Sequence, residues 1–599
     1  MSRTRTLKLH RGEQVTGRRG RGRSDRGYVL ELTAILLVPL LLMAGFAVDL
    51  GGDYARAIRM QRAADAGALA GVVWLPDFAK AQSVALAVVV QDGYTTGGNV
   101  TVTVTQVGAR RLQVKIVAPE GGFFVSKILN TSYTITRSST AEYLRPIAMG
   151  SPIASLANNP ESAAAPPQIW LNQSGAGSNK TNGDQFSAGL CTATGSGWMS
   201  GCVDNVNPSQ TNANKDLDNN GYNYITRVSS LGTGPLHVQV YDPAFIYTGD
   251  KCTVNGYNGG QQTTLINQFT AAGDAKASER YNWSDLDWCP GDQNINGKQN
   301  LTTTYIVRAP DLTPLDQTDN PAVCAISFDP YDGSAFGGNL FNKLDQTVLA
   351  NKANEGLENM PFSAIFRKWV DICTVSSPVV GDYVVQVTTT ANQTTPHFST
   401  TGTLTKAGGG AGTLEQRDMS ITTGGHNRYA IRAGFGSSIA GSGVGVFGAG
   451  RLPIYVNQNS SSATFYLAQL TPDYAGATLV LSFFDIADTA GQANMQVLGP
   501  SDSGSNYPNF PNANCVFTRD GGTPNVIPSS NCGINSLTSS NYDGRTVSLK
   551  LQIPGDYTCN PAATDGCWVK VKLDFVNGTP ADTTTWSASL LGDPVRLVQ

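Results

Sequence analysis

The stretch SDRGYVLELTAILLVPLLLMAGFAVDL, residues 24–50, decides how the rest of this 599-residue chain is read. From Tyr28 to Val48 its only charged residue is Glu31. A helix of that length rises about 30 Å, the thickness of a bilayer's hydrocarbon core. A secretory signal has a shorter apolar run, roughly 7–15 residues, and ends at a small-x-small cleavage site. MAGFAVDLGG offers no A-x-A pattern, so residues 28–50 are expected to form a transmembrane helix. Residues 1–27 carry nine Lys or Arg against Glu13 and Asp25. A basic segment abutting an apolar run fits a cytoplasmic flank better than a nucleic-acid arm. The expectation is a single-pass membrane protein with its N-terminus cytoplasmic, the bulk of the chain extracytoplasmic, and no nucleic-acid partner.

The body is charge-poor, with 15% charged residues over the whole chain and 65 glycines, as extracellular all-β modules tend to be. All ten cysteines, Cys191, Cys202, Cys252, Cys289, Cys324, Cys373, Cys515, Cys532, Cys559 and Cys567, follow the apolar segment. No Cys-x-x-Cys occurs, and His10, His237, His397 and His426 have no ligand spacing, so disulfides are favoured over a metal site. Several connectivities are open; sequence-neighbour pairing, Cys191–Cys202 through Cys559–Cys567, is the simplest.

A carboxylate within an apolar run is costly unless it lies near the interface or finds a partner. Glu31 either sits within a turn of the headgroups or serves recognition. Gly27 followed by Tyr28-Val29-Leu30-Glu31 resembles the processing site of type IV-like pilins, in which such a Glu pairs with a neighbouring subunit's N-terminal amine. Here Glu31 would be the fourth mature residue instead of the fifth. The longer string LLVPLLLMAGFAVDLGGDYARAIRMQRAADAGALAGVVWL resembles the Flp (Tad) pilus-assembly TadE/TadG-like family over residues 26–75, and more loosely to about 145. The resemblance rests on Gly27, Pro39, the A-V-D-x-G run holding Asp49 and Gly51, and A-A-D-A-x-A-L-A-G from Ala63 to Gly71. It implies an apolar helix, a turn at A-V-D-x-G and a second, arginine-bearing helix. Gly27, Glu31, Pro39 and Asp49 then become the membrane or assembly residues.

Residues 53–75 are Ala-rich and favour helix; small residues at 63, 64, 66–68, 70 and 71 would let another helix approach closely. NVTVTVTQV, RRLQVKIVAP and SYTITRSSTAEYL alternate with period two and are expected as strands, giving a small α+β unit over 51–145. Residues 146–166 read as a linker. Beyond it the chain repeats itself. PQIWLNQSGAG (167–177) matches LPIYVNQNSSS (452–462), and GPLHVQVYDPAFIYTGD (234–250) matches GATLVLSFFDIADTAGQ (476–492). TTYIVRAPDLTPLD (303–316) matches ANMQVLGPSDSGS (493–505), and GDYVVQVTTT (381–390) corresponds to GCWVKVKLDF (566–575). The fold class expected is mainly β with an N-terminal transmembrane helix. The small α+β unit is followed by two tandem disulfide-bonded β-sandwich domains, 167–400 and 428–599, joined by a Gly-rich linker at 401–427.

Candidate chemistry is sparse. Asp216, Asp218 and Asn220 before Gly221 match the start of an EF-hand loop, but position twelve is Arg227 where a bidentate Glu is needed. A Ca²⁺ site there competes with a turn into a strand. Asp184, Asp242, Asp485 and Asp488 stand at strand ends, where carboxylates either bind Ca²⁺ or cap turns. GVGVFG (443–448) fits G-x-G-x-x-G, but AGRLPIYV after it reads as a strand instead of the helix a dinucleotide site requires. The D-x-S-x-S order of the integrin-like domain of longer TadG proteins is missing around Asp332 and Ser334. No nucleophile or zinc motif occurs, so no enzyme and no cofactor beyond possible Ca²⁺ are expected. The expected function is a membrane-anchored structural or assembly component of a Flp/Tad-type pilus system. Its partners would be the membrane and pilus or pilin-like subunits. The alternative is an anchored surface binding protein, an adhesin or glycan binder using Trp283 and Trp288.

Overall fold

The computed structural model describes residues 26–75, 77–108, 110–121, 132–159, 169–175, 179–186, 199–202, 214–218, 220–241, 302–311, 319–328, 369–390, 426–457, 461–486, 491–500, 515–520, 531–563, 566–576 and 581–598, apart from a few isolated positions. The chain divides into two compact units, Met1–Glu142 with Val595–Gln599, and Tyr143–Pro594.

The first unit begins with α1, Arg26–Val72, a single helix of 47 residues with Pro39 inside it. The turn expected at A-V-D-x-G is absent: Ala47 to Gly52 are helical throughout. Two glycines cost about 1 kcal/mol each in a helix interior, too little to stop propagation between strong helix formers on both sides. The second helix, α2 (Phe78–Gln91), starts at Asp77, whose carboxylate accepts the Lys80 N–H at 3.0 Å. The three alternating stretches form β1 (Thr101–Gly108), β2 (Arg111–Gly121) and β3 (Ser132–Tyr143), paired antiparallel in that order. Leu112, Val114, Ile116 and Ala118 of β2 alternate onto the buried face, where they join Ala81, Ala85 and Val89 of α2 and Met60, Ala64 and Ala68 of α1. A fourth strand, Val595–Val598, lies beside β3, so the last residues of the chain complete a sheet begun by its first 150.

The second unit is built from two extended antiparallel sheets around one hydrophobic core. Two short strands come first, β4 (Ala148–Met149) and β5 (Ser155–Leu156). Then follow β6 (Ile169–Ser174), β7 (Tyr222–Val228), β8 (Leu236–Tyr241), β9 (Thr302–Arg308), β10 (Ala322–Phe328), β11 (Trp369–Val375) and β12 (Gly381–Thr390). The two-residue pair β13 (His397–Phe398) and β14 (Leu404–Thr405) leads to β15 (His426–Phe435) and β16 (Val444–Ala449). The remainder holds β17 (Arg451–Asn457), β18 (Ser462–Gln469), β19 (Thr478–Phe484), β20 (Ala493–Leu498), β21 (Val516–Arg519) and β22 (Val526–Ile527). It closes with β23 (Gly533–Leu537), β24 (Thr546–Gln552), β25 (Trp568–Phe575) and β26 (Ala581–Leu590).

The pairing order shows an internal duplication. One sheet runs β11-β8-β15-β6-β17-β26-β19-β24-β21-β22 and the other β10-β9-β12-β7-β16-β4-β18-β25-β20-β23. Within each half, eight strands taken in chain order split the same way: first, eighth, third and sixth in one sheet, second, seventh, fourth and fifth in the other. Each half is therefore a jelly roll, the double-sheet member of the sandwich class. The four sequence matches fall on equivalent strands: β6 with β17, β8 with β19, β9 with β20, and β12 with β25. The rolls join where β6 pairs antiparallel with β17, placing Trp170 opposite Tyr455, Ile169 opposite Val456 and Leu171 opposite Ile454. This register makes a local two-fold through the Trp170–Tyr455 pair.

Two boundaries differ from expectation. A second module starting at residue 428 would cut β15, yet β15 pairs with β8 and β6 and is the eighth strand of the first roll. On pairing, the first roll runs to Phe435 and the second begins at Arg451. The stretch 146–166 is only partly a linker, because Ile147, Met149 and Leu156 are fully buried and β4 bridges β16 and β18. Disulfides Cys191–Cys202, Cys324–Cys373, Cys515–Cys532 and Cys559–Cys567 join sequence neighbours. Cys324–Cys373 ties β10 to β11, one sheet to the other at the outer edge of the first roll. Cys515–Cys532 does the same beside β21 and β23 in the second. Cys252 and Cys289 lie outside the described residues.

Candidate functional site

The first candidate is α1 itself. Between Tyr28 and Leu50 its large apolar side chains stand 46–74% exposed, a sleeve interrupted by the exposed carboxylate of Glu31. Gly27 falls in the first turn and Pro39 in the interior. Asp49 is only 3% exposed, and its Oδ1 accepts the Phe124 backbone N–H at 2.8 Å. That carboxylate is thus a tether within the chain, fixing Phe124 to α1.

Past Ala57 the helix changes character. A Cβ added to Gly67 would stand 2.5 Å from Val89 Cγ2, and one at Gly71 would stand 2.6 Å from Leu112 Cδ2 and 2.8 Å from the Ala81 carbonyl oxygen. Glycine is needed at both positions because α2 and β2 pack directly onto the α1 backbone. The close helix partner foreseen for these small residues is the chain's own α2, which leaves 28–50 as the part of α1 open to other partners. Residues 27–89 match the Flp pilus-assembly TadE/G-like family. The TadE/G-like segment spans α1 and nearly all of α2, the hairpin just described. No curated protein and no solved structure matches the chain. A helix long and apolar enough to cross a membrane, joined to a TadE/G-like hairpin, fits a membrane-anchored protein with a Flp pilus-associated role.

The second unit disperses the other expected site residues. Asp216 faces Lys180, with Oδ2 2.8 Å from Nζ, whereas Asp218 faces Arg451 at 2.7 Å and accepts the Asn220 N–H at 2.9 Å. The Asn220 carbonyl accepts from Gln386. Both carboxylates of the EF-hand-like run are matched to cationic side chains of this chain, on different neighbours. Among the described residues no group of three His, Cys, Asp or Glu is arranged to hold a metal ion. Asp184 is buried, accepting the Ser174 N–H at 2.7 Å and the Tyr222 hydroxyl. Asp485, also buried, accepts the Gly544 N–H at 2.5 Å. Both serve the turns around them. Gly443–Gly448 leads into and forms β16, a strand, in keeping with setting the dinucleotide motif aside. Asp242, Trp283, Trp288, Asp332, Ser334 and Asp488 lie outside the described residues.

Sequence reasoning missed Lys180. It opens a single 3-10 turn, Lys180–Asn182, capped by the Asn179 side chain, between β6 and β7. The lysine is fully buried, and its Nζ donates to the Ser200 carbonyl at 2.7 Å, Asn214 Oδ1 at 2.8 Å and Asp216 Oδ2 at 2.8 Å. The Phe484 ring centroid lies 5.2 Å from the same nitrogen. Burial pulls the ammonium below its ordinary value, and the hydrogen bond and charge of Asp216 oppose it. A charged residue in the Gly/Asn/Ser run QSGAGSNKTNGD reads as a solvated loop, because lysine is almost never fully buried unless paired and nothing local reveals the pair.

Proposed function

We propose that this chain is a membrane-anchored, extracytoplasmic structural or assembly component of a Flp-type pilus system. Residues 28–50 cross the membrane, the basic segment 1–27 remains cytoplasmic, and residues 51–599 work outside. The exposed apolar sleeve of α1, continuous with the TadE/G-like hairpin, carries this reading. Fifteen large side chains worth roughly 1.5–3 kcal/mol each on burial amount to tens of kcal/mol if left in water. A bilayer, or a bundle of like helices within one, supplies the burial they lack. The nine basic residues before Tyr28 set the orientation. Glu31 is the exposed charge in the sleeve, Asp49 being buried, and offers a hydrogen-bonding point to a neighbouring pilin-like helix. The role is positional and needs neither a catalytic residue nor a cofactor.

Detergent extraction of the full-length protein from cells expressing the pilus system, followed by affinity capture, tests the assignment. Flp-type pilus subunits should be recovered with the wild-type chain and lost with Leu37→Arg/Leu41→Arg. Recovery of the membrane-embedded protein with no pilus component contradicts the role while leaving the anchor intact. N-terminal sequencing of the same material shows whether the leader is retained or removed after Gly27.

A further inference from the structure

The surroundings of Lys180 contain more than an ion pair. Three groups of complementary reactivity converge: a fully buried primary amine, the carboxamide of Asn214 and the carboxylate of Asp216. Lys180 Nζ lies 2.8 Å from Asn214 Oδ1, and Asn214 is itself only 9% exposed. The amide is held at both ends. Its Nδ2 donates to the Gln185 carbonyl at 2.9 Å, and its Oδ1 also accepts the Asp216 backbone N–H at 3.0 Å. Two donors on Oδ1 polarise the carbonyl where negative charge would gather during attack at Cγ. Asp216 Oδ2 is 2.8 Å from the amine and also accepts from Gln185 Nε2 at 3.1 Å. It is therefore placed to take and return protons. The neighbouring carboxylate of Asp520 is engaged by Ser200 Oγ at 2.7 Å, and Asp184 by Tyr222, so among the described carboxylates Asp216 is the one hydrogen-bonded to the amine.

The backbone also makes room for this approach. Gly201, at φ +73°, lies so close that an added Cβ would meet both Asp216 Oδ2 and, at 2.5 Å, Lys180 Nζ. The Cys191–Cys202 disulfide fixes the segment bearing Gly201 and the Ser200 carbonyl. The amine, amide and acid are thus pressed together by covalently restrained chain, in the contact range where an intramolecular reaction gains most from orientation.

We propose that Lys180 and Asn214 close an intramolecular isopeptide bond, with Asp216 as the proton-transfer group. Asp216 Oδ2 removes a proton from the Lys180 ammonium, and the freed lone pair attacks Asn214 Cγ to form the new C–N bond. The oxyanion rests on the Asp216 N–H. The Cγ–Nδ2 bond then breaks. Of the three ammonium protons the new amide nitrogen keeps one; the other two pass through Asp216 to the departing nitrogen, which leaves as an ammonium ion. No oxidant or co-reactant takes part. The reaction replaces a buried ammonium, which is costly to desolvate, by a neutral amide. It closes a second covalent loop, 180–214, around the Cys191–Cys202 loop.

Intact-mass spectrometry of the full-length protein after complete disulfide reduction tests this directly. The wild-type chain should be lighter than its sequence by one ammonia. A tryptic digest should contain residues 138–215 as one peptide, uncleaved after Lys180, lighter than its sequence by one ammonia and closed by the Lys180–Asn214 bond. Lys180→Arg and Asp216→Ala should both return the full sequence mass. A wild-type chain of full mass, cleaved normally after Lys180, overturns the bond. So does an ammonia loss confined to a linear peptide with a succinimide at Asn214. A cross-link that survives Asp216→Ala overturns the proton-transfer role.

Discussion

From Tyr28 to Leu50 the large apolar side chains of α1 are at least 46% exposed, whereas Met60, Ala63, Ala64, Ala68 and Val72 further along are 1% exposed or less. The two halves share one unbroken backbone and differ in side-chain volume. Alanine and glycine in the second half let α2 come within contact of the α1 backbone, so that half is satisfied inside its own unit. Branched chains in the first half hold neighbours at a distance and leave a sleeve that only apolar surroundings can cover. The same helix packs within its own unit at one end and bares a membrane-length apolar sleeve at the other, and Asp49, bonded to the Phe124 N–H, marks the change.

Substitutions break the comparison at either end. Leu37→Arg/Leu41→Arg should cost about 5–7 kcal/mol of insertion free energy, at ~2.5–3.5 kcal/mol per central arginine. The protein should leave the membrane fraction on carbonate extraction while the α1–α2 hairpin keeps its protease resistance. Gly71→Leu should do the reverse, because the new side chain meets the Ala81 carbonyl and Leu112 and the helices must part. A loss of about 3 kcal/mol is expected, read as a lower thermal midpoint of the first unit with membrane retention unchanged.

A smaller effect is expected where the chain's last strand closes the first unit's sheet. Burial pushes the Glu142 carboxyl up, but Arg596 and Arg111, with Arg110 nearby, hold it below its ordinary 4.5. The stabilisation is complete above that value and lost as pH falls through the lowered pKa. Glu142→Gln should cost about 1–2 kcal/mol at neutral pH, Arg111 and Arg596 being half-exposed and screened. The difference from wild type should vanish in acid, measured by chemical denaturation across pH. Asp520 and Asp543 in the second unit run the other way: burial raises both, so their contribution is present in acid and lost as pH rises through the raised values. The smallest effect belongs to Gly51→Ala. Nothing lies within 4 Å of the added carbon, so a gain of about 0.5–1 kcal/mol in helix stability is expected, seen as slower amide exchange around Asp49.

Much of the architecture was legible because it is written in local periodicity. The period-two runs gave β1, β2 and β3, and the four degenerate matches fell on topologically equivalent strands of the two rolls. What escaped is non-local. In β15, HNRYAIRAGF, His426 and Arg428 are buried despite their chemistry. Burial, with Arg428 beside it, holds the His426 imidazole well below its ordinary range, and the Arg428 guanidinium lies 3.5 Å from the Tyr455 ring centroid. Such a strand reads as surface, and the boundary expected at 428 cuts it. Val595–Val598 is too short to announce a partner some 450 residues earlier. For the candidate site, Asp216 and Asp218 could be found but not their partners, since only the fold brings Lys180 to one and Arg451 to the other.

Protease treatment of intact spheroplasts, with the full-length protein tagged at both ends, tests the anchored topology most directly. The C-terminal tag should be lost while the N-terminal tag stays protected on a membrane-bound fragment ending beyond Leu50. A C-terminal tag that survives until the cells are lysed contradicts an extracytoplasmic body.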